Sequence, residues 1–300
     1  MLSRLNLSLW SLLAIYVVAR VLQTLPDKVP AVLIAALHVL PPMAFAVIHG
    51  SAIYRFRAMT VFVFLCLVIG NVFENLSILT GFPFGHYHFT DLMGPKLFQV
   101  PVLLGCAYIG MGYLSWTLAR LILGRGEDIT GSRILSQPLL AAFLMVVWDF
   151  SMDPAWANIA KAWIWHQGGA YFGVPLSNFF GWYLTTYAIY QSFALYLRRY
   201  RVKARAVPKN LWRAAVAYYA AFALGNLLFT APPGVSVVTD AAGAQWNVSD
   251  ILGASALASI FAMTPWAFVA WVRLESEPAK AGFYPSAGES LSSNRPSLRR

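Results

Sequence analysis

Apolar runs long enough to cross a bilayer recur along this chain, separated by short polar links. A spanning helix needs about 20 apolar residues. Runs of that kind fall near 5–25, 29–49, 58–80, 101–123, 134–153, 176–197, 211–230 and 251–272. The predicted fold is all-α, a polytopic membrane bundle of about eight transmembrane helices over residues 1–272. Pro41 and Pro42 interrupt the second run, and the backbone donors they lack predict a kink or break there. The first run is followed by no small-residue cleavage motif and contains Arg20, so it reads as a retained helix rather than a signal peptide. From about Arg273 the chain turns to Ser, Pro, Glu and Arg. A stretch so poor in apolar residues predicts a disordered cytoplasmic tail over 273–300.

Composition sharpens that picture. Charged residues make up only 11% of the 300-residue chain, against about 25% in soluble domains. Aromatic residues reach 15%, with 11 Trp, more than interfacial belts alone require. The net charge of +10 does not point to nucleic acid, because the basic residues gather between the apolar runs. Anionic lipid headgroups at the cytoplasmic face are the partner that fits. Cys66 and Cys106 each lie inside an apolar run, which leaves no disulfide framework and no CxxC metal site.

The link between runs six and seven holds Arg198, Arg199, Arg201, Lys203, Arg205, Lys209 and Arg213 without an acid. Arg55 and Arg57 mark the link between runs two and three; Arg120, Arg125 and Arg133 mark the one between four and five. Cytoplasmic links carry the Lys/Arg excess, so these three face inward. An even number of crossings then puts both termini in the cytoplasm, with the protein in the inner membrane. The outward links are 81–100, 154–175 and 231–250.

Three carboxylates then meet one face of the membrane. Glu74 lies late in the third run, on a polar stripe with Asn71 and Asn75. Asp149 and Asp153 close the fifth at i, i+4, on a shared face. An acid in hydrocarbon faces a cavity and usually marks function. Paired carboxylates that cannot both ionise leave one able to donate a proton near neutrality. The plainer alternatives are a hydrogen-bond knot between helices for Glu74 and an interfacial cap for Asp153. Beside the acids, Gly81, Pro83, Gly85, Gly94 and Pro95 alternate with Phe82, Phe84, Tyr87 and Phe89. That pattern fits a re-entrant lip over a pocket or an interfacial loop with aromatic anchors. His86 and His88 alternate and share a side in an extended segment. With no HExxH spacing, a metal site is not expected. Trp163, Trp165 and Trp182 suit either an interfacial belt or a wall facing a cation. His38 reads as a packing residue, and Arg20 as a side chain that snorkels or pairs with an acid.

The motifs in order resemble a known family. Glu74, then Thr80 to Tyr87 (TGFPFGHY), Gly94-Pro95 and Val100-Pro101 begin the likeness. Trp148-Asp149, Met152-Asp153-Pro154, Trp163-Ile164-Trp165, Gly169 to Pro175 (GAYFGVP) and Asn178 to Trp182 (NFFGW) continue it. Over about residues 70–185 the chain resembles the membrane carotenoid-biosynthesis family that includes carotenoid 1′,2′-hydratases. It departs after Pro101, where that family often has a second Pro and a Trp. The resemblance implies addition of water across the terminal 1′,2′ double bond of an acyclic carotenoid end, as in lycopene, γ-carotene or bisanhydrobacterioruberin, giving a tertiary alcohol. Protonating C2′ leaves positive charge on C1′, so the reaction wants an acid, a π-rich wall and a positioned water. Asp149 or Glu74 is the expected acid and Asp153 the water base, with Asn178 and His86 orienting the water. Phe82, Phe84, Tyr87, Trp163, Trp165, Tyr171 and Trp182 are the expected substrate contacts. No cofactor is required, and other enzymes of the same pathway are expected partners. Two other classes remain open. The Asp149-x-x-x-Asp153 spacing also suits a Mg²⁺-dependent membrane prenyltransferase, and the aromatic inventory also suits a non-catalytic carotenoid binder.

Overall fold

The computed structural model describes residues 2–25, 27–229 and 236–276. The chain is mostly helical: α1 (Leu2–Leu22), α2 (Ala31–Thr80), α3 (Val102–Ile122), α4 (Arg133–Pro154), α5 (Leu176–Arg199), α6 (Lys209–Gly225), α7 (Val248–Ala258) and α8 (Thr264–Ser276). A π-helical turn, Ser259–Met263, joins α7 and α8 into one rod. Three short antiparallel pairs complete the fold. They are β1 (Tyr87–Phe89) with β4 (Trp163–Trp165), β2 (Lys96–Leu97) with β3 (Val100–Pro101), and β5 (Val237–Thr239) with β6 (Gln245–Asn247).

Five helical segments are long and apolar enough to cross a membrane: Ser3–Leu22, Ala31–Thr80, Val102–Ile122, Arg133–Ile159 and Val248–Ser276. The other two helices fail for different reasons. α5 is 24 residues long but carries Ser177, Asn178, Thr185, Thr186 and Gln191. α6 has 17 residues, short for a spanning helix. α2, with its 50 residues, would stretch about 75 Å if straight, more than twice the hydrocarbon thickness.

The chain solves that length differently from what its prolines suggest. Helical dihedrals persist through Pro41 and Pro42, and the backbone leaves them at Arg55 (φ 68°, ψ 158°). The Ile53 carbonyl near that break accepts from the Arg205 N–H at 2.9 Å, so the polar link after α5 receives a group the helix released. At the proline pair α3 packs close. A Cβ on Gly110 would stand 2.8 Å from Met43 N and 2.9 Å from the Pro42 carbonyl carbon. Residues 273–276, placed in the expected tail, belong to α8. α8 runs to Ser276, and Glu275 accepts from Arg213 Nε and Nη2 at 2.7 and 2.9 Å. The rest of the expected tail lies outside the described residues.

α3 is buried along most of its length, whereas the other spanning segments each leave half or more of their residues at the surface. Rings from three helices close around its own Tyr113 and Trp116: Tyr54 and Phe62 from α2, Tyr190 and Phe193 from α5, and Tyr218 and Tyr219 from α6. Phe64, Phe143 and Phe268 face outward, as lipid contact requires. His49 is fully enclosed, with Nδ1 2.8 Å from Tyr113 Oη and Nε2 3.0 Å from the Leu211 carbonyl. Gly110→Ala should destabilise this packing by about 1–3 kcal/mol, because the added methyl meets backbone that cannot swing aside. Thermal unfolding in detergent measures it, and an unchanged midpoint would refute the close approach.

Candidate active site

The acids come together because three helix ends and one strand pair meet at one level. Glu74 sits in the last two turns of α2, Asp149 and Asp153 in the last two turns of α4, and Asn178 in the first turn of α5. Across them lies the β1–β4 pair, in which Tyr87 faces Trp165 and Phe89 faces Trp163. Successive strand side chains point to opposite sides. Tyr87, Phe89, Trp163 and Trp165 therefore turn inward and His88 turns out. Gly81 closes α2 in a left-handed conformation (φ 82°), where a Cβ would also strike the His86 ring at 2.6 Å. Ser77 holds the turn that follows, accepting from Phe84 N–H at 3.0 Å and donating to the Gly85 carbonyl at 2.9 Å.

The three carboxylates are 3% (Glu74), 1% (Asp149) and 1% (Asp153) exposed. Their hydrogen-bond partners differ in kind. Glu74 binds two phenols: Tyr108 donates to Oε1 at 2.7 Å and Tyr87 donates to Oε2. Asp153 binds two N–H groups: Trp163 Nε1 donates to Oδ1 at 2.8 Å and Asn178 Nδ2 to Oδ2 at 2.5 Å. The same Asn178 Nδ2 donates to Asp149 Oδ2 at 2.9 Å. No donor bonds the second Asp149 oxygen among the described residues. Indole and amide N–H groups only donate, whereas a phenol both donates and accepts. Asp153 is thus held as an acceptor at both oxygens. Glu74 can exchange a proton without losing either bond.

A cavity of about 20 Å³ lies between them, lined by Glu74, Asp153, Asn178, Tyr87, Phe84, Phe89, Leu104, Trp163, Trp165 and Trp182. That is room for about one water. Trp165 Nε1 lines it as a buried N–H without an acceptor among the described residues.

Other expected contacts lie elsewhere. Phe82 is 57% exposed. His86 is exposed beside Gly81 and does not reach the acids. Tyr171 stacks on Phe150 at 4.3 Å outside the cavity. Burial first, then the Asp153 charge, raises its phenol to about 12. Tyr108, Phe89 and Leu104 went unassigned by sequence reasoning. Tyr108 carried a readable signal: a phenol inside an apolar run needs an acceptor, and Glu74 is one. Its ring also stacks on Trp182 at 4.7 Å.

A family model for carotenoid biosynthesis proteins matches residues 28–239. The chain belongs to that family. No curated protein and no solved structure matches it. Every residue lining the small cavity of this carotenoid biosynthesis protein falls inside the matched stretch, while α1 and the α7–α8 rod fall outside it. Its apolar helices and its family make it a membrane protein of carotenoid biosynthesis. The Asp149–Asp153 pair does not present a metal-ligand face, because Asn178 and Trp163 aim N–H groups at three of its four oxygens. Among the described residues no cluster of three or more His, Cys, Asp or Glu could hold a metal ion.

Outside the cavity, His88 Nδ1 meets His166 Nε2 at 2.8 Å across the strand pair. Desolvation, then the neighbouring His166 and Lys96 charges, holds His88 below the usual imidazole range. The folded strap therefore binds fewer protons than the unfolded one as pH falls through about 6.5, and is destabilised there. Protection of the β1 and β4 amides, taken relative to the intrinsic exchange rate at each pH, should fall below that pH and hold above it. His88→Gln should flatten the profile; an identical profile in that variant would refute the assignment.

Proposed function

We propose that the protein is a carotenoid 1′,2′-hydratase, adding water to the terminal double bond of an acyclic end. The observation that carries this is one water-sized cavity with two carboxylates of opposite bonding character on its walls. Glu74, bonded to phenols that reverse their hydrogen bonds, is the proton donor. Asp153, bonded only to N–H donors, is the base. Glu74 gives its proton to C2′ and the double-bond electrons form the new C–H bond, leaving C1′ cationic. The cavity water attacks C1′ and releases a proton to Asp153. Return of that proton through water to Glu74 restores both groups, so the net change is addition of H₂O. The Trp163, Trp165, Trp182 and Tyr87 rings offer π density to the cation. Asp149, behind Asn178 and with one oxygen that takes no donor among the described residues, holds a proton and positions the amide. The same reading includes eight crossings of the inner membrane with both termini cytoplasmic, α2 crossing twice about Arg55.

Pigments from a lycopene- or γ-carotene-producing bacterium expressing this protein should gain 18 mass units per hydrated end, with oxygen from labelled water. Oxygen from O₂ would replace hydration with a monooxygenase. Glu74→Gln and Asp153→Asn should each lose about 100-fold or more in turnover, since general acid–base groups contribute ~10²–10⁴-fold. Their combination should cost little more than the worse single, because the two act as one unit. Asp149→Asn keeps shape and neutrality and should lose about tenfold or less on the same scale. Normal turnover in both Glu74→Gln and Asp153→Asn would make the acids structural knots. For topology, cysteines placed at Asp91 and Arg205 should label from opposite sides of the membrane; same-side labelling would dissolve the common outer face.

A further inference from the structure

The small cavity raises a problem of size. It takes about one water, and a five-carbon isoprenoid end is several times larger. A second cavity of about 520 Å³ lies directly behind its wall. The two are back to back across the end of α4: Asp153 lines the small one, and Met152, Ala155 and Trp156 line the large one. The partition is a pair of parallel indoles. Trp156 lies 6.4 Å from Trp163 with 5° between the ring planes, and Trp163 is the indole that donates to Asp153. Trp156 sits on a π-helical turn, Ala155–Ile159. Such turns occur often at functional sites.

The large chamber is walled mainly by Ile34, Leu92, Met152, Leu228, Phe229 and Leu252. One corner is polar. Arg20, 3% exposed, donates from Nη1 to Gln23 Oε1 at 2.7 Å and from Nη2 to Asn226 Oδ1 at 2.6 Å, and its guanidinium lies 4.8 Å from the centre of the Phe229 ring. No carboxylate pairs with it among the described residues. Among the described residues two of its five N–H groups are bonded. Its Nε packs where a Gly225 Cβ would stand, 2.5 Å away. A hydrocarbon site with spare N–H donors at one end suits a long apolar chain ending in a neutral oxygen.

We propose that this chamber binds the isoprenoid end of the polyene, with the Arg20–Gln23–Asn226 corner receiving an oxygen on that end. The Trp156–Trp163 pair is the partition the end passes to reach Glu74 and Asp153. This rests on the hydratase reading for its substrate class, but not for its test. The tertiary alcohol made by hydration carries an oxygen of the kind the corner accepts. Arg20, Gln23, Thr24, Leu252 and Ser255 line the chamber from outside the family-matched stretch, so these residues give this chain's chamber a lining of its own.

The test measures binding without turnover, in the full-length Asp153→Asn protein in nanodiscs. Lycopene and its 1-hydroxy derivative are titrated, with quenching of tryptophan fluorescence as readout. Leu252→Trp and Ala160→Trp, which fill the chamber from two sides, should weaken both probes about tenfold or more. Phe143→Trp, on the outward face of α4, should change neither. Arg20→Leu should weaken the hydroxylated probe about tenfold and the hydrocarbon less than about twofold, as expected for one charge-assisted hydrogen bond. Unchanged binding of both probes in two chamber-filled variants that melt like the parent would overturn the proposal. So would an Arg20→Leu effect seen only on binding of phosphatidylglycerol, which would make the corner a headgroup site. Chamber-dependent binding without any gain of 18 mass units in the active protein would leave the chamber standing and sink hydration; normal hydration with chamber-independent binding would do the reverse.

Discussion

The structure depends on keeping three carboxylates out of contact with hydrocarbon. An acid that deep costs several kcal/mol unless its oxygens find donors. Each donor comes from a different part of the chain: Tyr108 from α3, Asn178 from α5, Tyr87 from β1 and Trp163 from β4. Four separate segments are thereby tied to the ends of α2 and α4. The β1–β4 strap is too short to stand alone, since isolated two-stranded ribbons are marginal in water. Here two of its inward residues are anchored on buried acids, and the rest of the strap follows their register.

The same donors decide what the acids can do. A carboxylate boxed in by N–H groups is stabilised as the anion, and a proton added to it finds donors that cannot turn to accept. A carboxylate between phenols meets no such penalty, because each hydroxyl turns to accept what it had donated. In a water-poor cavity these differences are magnified by the low dielectric. Asp149 and Asp153 carry the same functional group four residues apart, yet Asn178 and Trp163 leave them with unlike sets of donors. Chemistry at this site is therefore set by the second ring of residues as much as by the acids.

Much of this was legible in the sequence wherever a residue sits in the wrong solvent. Glu74, Asp149 and Asp153 stand out against apolar runs, and the Gly/Pro/aromatic segment beside them announces irregular backbone. Trp163 and Trp165 were readable as a pair, and the period of two that turns both inward needs only β4 to be extended. The failures have physical causes too. Pro41 and Pro42 point to a break that the chain places at Arg55, because the close approach of Gly110 holds the proline turns in helical form while the polar link offers Arg205 N–H to the Ile53 carbonyl. His86 resembled a water ligand, but alternation along the extended strap sends it outward with His88. Tyr108 was hidden because a phenol in an apolar helix looks like packing until its acceptor, 34 residues away along the chain, is seen beside it.

Two cavities meeting at one tryptophan pair give the molecule a division of labour. The acid cavity is built wholly from the family-matched stretch, and its size is that of about one water. The chamber borrows walls from α1 and from the α7–α8 rod, which lie beyond that stretch. Changes in those flanking helices can reshape what the chamber admits without moving Glu74, Asp153 or the donors that define them. The constraint runs the other way at the partition. Trp163 cannot shift far without giving up its hydrogen bond to Asp153, and an Asp153 stripped of that donor would be a less stable anion. The Trp156 carbonyl accepts from the Ala162 N–H at 2.9 Å, but its indole has no hydrogen-bond partner among the described residues and sits on a π-helical turn, so it is the half of the pair that can yield. Opening of the partition is in this way separated from the electrostatics of the site. In the proposed hydration a substrate end displaces one indole while the other keeps its hydrogen bond to Asp153.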